Sequence, residues 1–227
     1  HRRKTSFYNG LRMKNAMYDI LQKYWNSSEF RPGQKKAITA VLEKKDCLVV
    51  LPTGGGKSLC YQLPALTNSG LCVVISPLIA LMSDQVEGLK KRGVRAMNLS
   101  GPMPEDDLVS ALDNCKFGSF KFLYLSPERA KHPLVQDRLA EMQLCLLVID
   151  EAHCISEWGH EFRPAYREII QLKNRLSNIP TIALTATATK RVKEDICDTL
   201  ELNQPEKVTD SFDRPNIELR VLKRNYK

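Results

Sequence analysis

The sequence predicts an α/β fold in which a mostly parallel sheet is flanked by helices on both faces. Three observations lead there. Five short, β-branched apolar runs recur along the chain, amphipathic stretches of helical length lie between them, and chemically loaded residues stand just after the runs. The runs are 47-CLVVL, 71-LCVVIS, 121-KFLYLS, 145-CLLVID and 181-TIALT, apolar throughout as strands covered on both faces are. Helical patterns lie near 13–25, 34–44, 57–66, 78–92, 104–115, 164–177 and 189–200. Strand, helix and strand in repetition imply right-handed crossovers and parallel pairing. Such sheets collect their ligands at the carboxyl ends of the strands.

After the first run comes 52-PTGGGKSLCYQL, with Thr53 entering a turn of three glycines. Gly54, Gly55 and Gly56 carry no Cβ, so the backbone can curl and aim several N–H groups at one anion. A helix starting near Lys57 adds its positive end to that spot. Lys57 would reach the β- and γ-phosphates of a nucleotide, and Ser58 would offer a hydroxyl to Mg²⁺. The strict pattern GxxxxGK[ST] asks for Gly where Leu51 stands, so the match is to a relaxed form. The bland alternative is a Gly-rich turn with an exposed lysine.

The run 144-LCLLVIDEAH ends in two adjacent carboxylates. Neighbours on a strand end point in different directions. Asp150 can therefore face Mg²⁺, commonly through a water, while Glu151 polarises the attacking water. Two such acids without a cation would repel one another. His153, one turn on, suggests a relay toward 185-TATAT, whose hydroxyls follow the last run. The tail, 207-KVTDSFDRPNIELRVLKRNYK, reads as a loop and one more strand, 217-IELRVL. The expected division is a polar basic segment over 1–12, one nucleotide-binding domain over 13–208, and a linker with a first strand toward a further domain over 209–227.

Composition narrows the partners. The chain has 227 residues, 43% of them hydrophobic, enough for a two-sided core and too apolar for disorder. Lys and Arg number 34 against 26 Asp and Glu, a net +8 that favours a polyanion, nucleic acid before anionic membrane. Of the seven cysteines none form a CxxC pair, so no zinc knuckle is expected; most lie in apolar runs, which points to reduced thiols and an intracellular location. No apolar run approaches membrane-spanning length, and 1-HRRKTSFYNG is unlike a signal peptide, so no membrane partner is expected. A chain opening on His1 is expected to be a piece of a longer one.

Taken in order, 30-FRPGQ, 52-PTGGGKS, 76-SPLIALMSDQ, 124-YLSPER, 150-DEAHCISEWGHEFRP, 185-TATAT and 212-FDRPN resemble the first RecA-like domain of RecQ helicases. The resemblance covers roughly residues 13 to 222, and the run from Asp150 to Pro164 is much longer than a generic DEAH box. It implies a RecA-like P-loop NTPase domain that couples ATP hydrolysis to movement on single-stranded DNA and to duplex unwinding. Its expected cofactors are ATP and Mg²⁺, with no zinc in this chain. Its expected partners are single-stranded and forked DNA and a second RecA-like domain, so the protein would reside with DNA, in the cytoplasm or nucleoid of a bacterium or in the nucleus of a eukaryote.

The resemblance also implies residue roles. Arg31 and Gln34 look like the adenine-reading pair, since an amide offers both donor and acceptor to a base edge. Asn26 stands where relatives usually carry Gly, and Ser27 where many put a ring against adenine. The segment 154-CISEWGHEFRP looks like the family's aromatic-rich loop, with Trp158 and Phe162 stacking on unpaired bases and Arg163 binding phosphate or stacking. Ser76, Pro77, Asp84 and Gln85, then Ser126, Pro127 and Glu128, would line the strand track through backbone and hydroxyl contacts. An arginine finger is expected on the second domain, which leaves this chain alone largely inactive. Two other classes stay open: a passive nucleic-acid-binding module with a vestigial ATP site, and a P-loop switch or clamp that hydrolyses ATP without translocating. Stacking and phosphate contacts do not by themselves separate DNA from RNA.

Overall fold

A computed structural model describes residues 15–159, 161–176 and 179–210. Seven strands form one sheet: β1 (Cys47–Val50), β2 (Leu71–Ile75), β3 (Ala96–Asn98), β4 (Phe122–Leu125), β5 (Leu144–Ile149), β6 (Thr181–Thr185) and β7 (Glu206–Thr209). Their order across the sheet is β3-β4-β2-β5-β6-β1-β7, and every pairing is parallel. All five expected strands are present. The two at the edges, β3 and β7, are short and partly exposed, so they lack the apolar run that marks the others. β7 lies where the tail reads as a loop; the expected strand at 217–222 falls outside the described residues.

Alternation along each central strand sorts its side chains onto two cores. Leu48, Val50, Val73, Ile75, Leu123, Leu125, Leu147 and Ile149 face one layer. Cys47, Val49, Cys72, Val74, Phe122, Tyr124, Leu146 and Val148 face the other. Helices α2 (Gln34–Leu42), α3 (Leu59–Thr67) and α4 (Ile79–Lys91) cover the second face through Ala37, Val41, Cys60, Tyr61, Met82 and Val86. The first face is covered by α5 (Glu105–Phe117), α6 (Pro127–Ala130), α7 (Pro133–Ala140), α8 (Pro164–Arg167), α9 (Ile169–Arg175) and α10 (Lys190–Thr199). Helix α1 (15–25) adds Met17 and Leu21 to a third cluster with Ile38 and Leu63.

Two local differences have simple causes. The pattern at 164–177 is two helices, not one, with Glu168 both ending α8 and starting α9. The segment after β4 folds into α6 and α7, each with proline in its first turn, where the missing N–H costs nothing. Asn26 takes φ 50°, so the exchange for Gly keeps the left-handed backbone. All seven cysteines are unpaired, and six are buried. No described helix is long and apolar enough to cross a membrane.

Candidate functional site

The chain leaves β1 at Val50 and turns through 52–58 before α3 starts at Leu59, two residues later than the sequence suggests. Gly54 and Gly56 sit at φ 78° and 76°, backbone that an L side chain adopts only with strain. Gly55 N–H donates to Pro52 O at 2.8 Å and Leu59 N–H to Gly56 O at 3.1 Å, closing the turn. Among the described residues the N–H groups of Gly54, Gly56, Lys57 and Ser58 have no acceptor, and Ser58 makes no side-chain capping bond. A cluster of unsatisfied donors at the start of a nine-residue helix suits an oxyanion. Thr53 is exposed at the mouth of the loop.

Arg31 and Gln34 come down onto this loop. Gln34 is buried; its Oε1 accepts from Arg31 N–H at 2.8 Å and its Nε2 donates to Gly56 O at 3.1 Å. The Arg31 guanidinium donates to Gly54 O. Beside Arg31 opens a cleft of about 740 Å³ whose lining includes the rings of Tyr18 and Phe30, 5.2 Å apart. It lies beside the phosphate loop without enclosing it.

Two strands away, β5 delivers the acids. Asp150 N–H donates to Ile75 O at 2.8 Å, Ser76 Oγ donates to its carboxylate at 3.3 Å, and Tyr166 Oη donates to its carbonyl at 2.9 Å. Burial, then the charge of Glu151, pushes the Asp150 carboxyl up to about 6, against the pull of Lys57 and Ser76. Glu151 sits in left-handed backbone, φ 48°, which turns the chain sharply between the two acids. Its carboxyl is lowered by the hydrogen bond from His153 and by the charges of His153 and Lys57. Lys57 Nζ donates to Leu51 O at 3.3 Å, and because β1 and β5 both run parallel to β6, the glycine turn and the acids leave the same carboxyl edge of the sheet. Two carboxylates, a free serine hydroxyl and a nest of N–H groups fit a hard divalent cation carrying a triphosphate.

His153 Nδ1 lies 2.9 Å from Thr185 Oγ1 at the end of β6 and 3.3 Å from Glu151 Oε2. Contacts with the Cys154 sulfur and with Glu151 push the imidazole up to about 10. On the ring's other side, Nε2 lies 3.8 Å from Cys154 Sγ and 3.6 Å from Glu161 Oε2.

The aromatic loop follows. Trp158 is 58% exposed, which excludes a core anchor, and the Arg191 guanidinium stacks 3.2 Å from its ring centroid. Phe162 is half-buried beneath Arg167, and Arg163 is exposed, its N–H donating to Cys154 O at 2.9 Å. The residues expected along the strand track are placed as follows. Ser76 is buried with its hydroxyl on Asp150, and Ser126 is buried as the cap of α6, accepting from Arg129 N–H. Pro127 is buried with it, and Gln85 is bonded to Gln62 at 2.8 Å. The two serine hydroxyls are held by partners inside the fold, while Pro77, Asp84, Gln85 and Glu128 of that set keep partial or full exposure. Sequence reasoning missed Arg191, which reads as a solvated helix start, and Tyr166, which reads as apolar filling.

A family profile described as DEAD/DEAH box helicase matches residues 31–196. The probable ATP-dependent DNA helicase RecS of Bacillus subtilis is 46% identical over 206 residues, which is 90% of this chain and 41% of that protein. The ATP-dependent DNA helicase RecQ of the same organism is 41% identical over 213 residues, 93% of this chain and 36% of that one. The RecQ-like DNA helicase BLM of Xenopus laevis is 42% identical over 213 residues, 91% of this chain and 16% of that one. The chain therefore spans well under half the length of these relatives. Among solved structures, the Hef helicase domain of Pyrococcus furiosus superposes with TM-score 0.60 at 24% identity, over 83% of this chain and 40% of that one. The DUF1998 helicase MrfA bound to DNA gives 0.68 at 20% identity, over 86% and 29%. These likenesses establish the RecA-like α/β fold.

Proposed function

The chain belongs to the DEAD/DEAH box helicase family, and from that premise we propose that it is the ATP-binding motor domain of a RecQ-type DNA helicase. One observation carries the reading. The unbonded N–H groups of the glycine turn and the acids after β5 lie on the same edge of the sheet, each following the carboxyl end of a parallel strand.

In this reading the N–H groups of Gly54, Gly56, Lys57 and Ser58 hold the phosphates, and Lys57 neutralises the β- and γ-groups. Ser58 and Asp150 would hold Mg²⁺, which when bound offsets charge on the triphosphate. Glu151 orients a water toward the γ-phosphorus and accepts its proton as the bond to ADP breaks. Arg31 and Gln34 read adenine, and the Tyr18–Phe30 cleft supplies the ring face absent at Ser27. Gln34 must then release one of its bonds to Gly56 or Arg31 when base binds. Trp158, Phe162 and Arg163 stack on single-stranded DNA, and the contact of His153 with Thr185 transmits strand binding to the acids. A second RecA-like domain brings the arginine that stabilises the transferring charge, worth about 10³–10⁵ in rate. The isolated chain accordingly binds nucleotide and turns over little.

The test is a titration of the 227-residue chain with fluorescent ATP and Mg²⁺, beside Lys57→Ala. Saturable binding lost in the variant supports the reading; equal binding by both would sink it. A clamp that hydrolyses ATP without moving is separated by Trp158→Ala in a chain extended to its relatives' length. Loss of DNA-stimulated hydrolysis with nucleotide binding kept supports the motor, and unchanged stimulation supports the clamp.

A further inference from the structure

We propose that His153 Nε2, Cys154 Sγ and a Glu161 carboxylate oxygen form a site for one thiophilic divalent cation of the zinc class, behind the acidic turn and separate from the nucleotide's own metal. The three donor atoms lie within 4.8 Å of one another, Nε2 being 3.8 Å from the sulfur and 3.6 Å from the carboxylate oxygen. A tetrahedral ion with bonds of about 2.0 Å to nitrogen and oxygen and about 2.3 Å to sulfur sets its ligands roughly 3.3–3.6 Å apart. The cluster therefore needs to close by only a few tenths of an ångström along its two measured edges.

Two further features prepare it. The Thr185 hydroxyl donates to Thr187 O at 3.1 Å, so toward His153 it accepts, and the network assigns the proton to Nδ1. Glu151 faces the same nitrogen at 3.3 Å. A carboxylate and a hydroxyl on Nδ1 are the partners that orient a metal-binding imidazole, so that an ion displacing the Nε2 proton finds that nitrogen's lone pair aimed at it. The aromatic loop is also pressed onto the turn. A Cβ at Gly159 would fall 2.8 Å from His153 O, and Arg163 N–H donates to Cys154 O at 2.9 Å. This clasp carries Glu161 to the histidine. A cleft of about 530 Å³ lined by His153, Trp158, Gly159, Glu161, Thr187 and Thr189 leaves room for a water as fourth ligand.

Binding is a proton-for-metal exchange without redox change. The Cys154 S–H proton and the proton on Nε2 pass to solvent, and the ion accepts lone pairs from the thiolate and the imidazole nitrogen. Sulfur and imidazole select a soft or borderline ion over Mg²⁺, which prefers oxygen donors. A captured ion ties the aromatic loop to the turn that holds Glu151.

The experiment titrates Co²⁺ into the 227-residue chain without nucleotide, in a non-chelating reductant. The expected result is one equivalent giving near-ultraviolet sulfur-to-cobalt absorption and the visible bands of a tetrahedral ion, bleached by Zn²⁺ and untouched by Mg²⁺. Cys154→Ser should abolish the sulfur band, and Glu161→Gln should weaken binding at least about tenfold. No saturable band, a band that survives Cys154→Ser, or a Glu161→Gln titration identical to wild type would each overturn the proposal. Cys154 is fully buried, so its replacement can unfold the chain; Glu161, with a side chain 68% exposed, then decides the matter.

Discussion

The Nδ1 of His153 sits 2.9 Å from the Thr185 hydroxyl, which joins the turn after β5 to the end of the neighbouring strand β6. Thr185 in turn exchanges bonds with Thr187, its hydroxyl donating to the carbonyl at 3.1 Å and accepting from the N–H at 3.3 Å. The histidine thus stands between Glu151 and the loop that starts α10. Thr185→Val removes that acceptor at nearly constant volume. In a chain extended to its relatives' length, DNA-stimulated ATP hydrolysis should fall at least about tenfold, with nucleotide affinity within about twofold of wild type. Unchanged stimulation would deny any coupling role to this contact.

Asp150 has a distinctive pH signature. Its folded carboxyl is raised to about 6 by burial and by Glu151, above the usual value near 3.8. The folded state therefore binds more protons than the unfolded one between those values. Stability declines as pH rises through that window, and the full penalty is present above about 6. Asp150→Asn should raise the melting temperature at pH 7.5, by a gain on the order of 1–3 kcal/mol, and the gain should vanish below about pH 4. Thermal melts of both proteins from pH 3.5 to 8 in chelator check this.

Gly56 combines φ 76° with a position against the Gln34 side chain, where an added Cβ would displace the amide. Gly56→Ala should cost about 1–2 kcal/mol of stability for the left-handed backbone alone. It should weaken ATP binding more than tenfold, because the free N–H groups lose their common aim. Chemical denaturation and nucleotide titration on one sample separate the two effects.

Arg191 covers one face of the exposed Trp158 ring. Such a stack is worth about 0.5–1 kcal/mol at an exposed site and holds the indole in one orientation. Arg191→Ala should leave the melting temperature within about two degrees, shift the Trp158 emission, and weaken single-stranded DNA binding about threefold or more. Trp158→Phe identifies the emission component, since the only other tryptophan is Trp25. DNA affinity equal to wild type would show that the arginine merely packs.

Much of the site was legible locally because its chemistry is held at strand ends. The runs that form β1 and β5 carry Lys57, Asp150 and Glu151 at fixed distances beyond them, so a register read from apolar residues also places the acids and the glycine turn. Trp158 was readable for another reason: its neighbours Ser156, Glu157 and Gly159 cannot make an apolar core segment. The partners of the Ser76 and Ser126 hydroxyls were not legible, because a serine after a strand looks alike whether its hydroxyl meets solvent, a buried carboxylate or a helix N–H.

By itself the sequence determined the α/β class, the five central strands, the glycine turn and the paired acids, since each follows from periodicity or from the spacing of a few adjacent residues. Only the tertiary structure decided that Gln34 clasps Gly56, that Arg191 covers Trp158, and that Glu161 returns to His153 and Cys154. Those contacts join side chains from separate elements. Their distances are set by how helices and loops seat on the finished sheet, a property of the packed whole that no local pattern encodes.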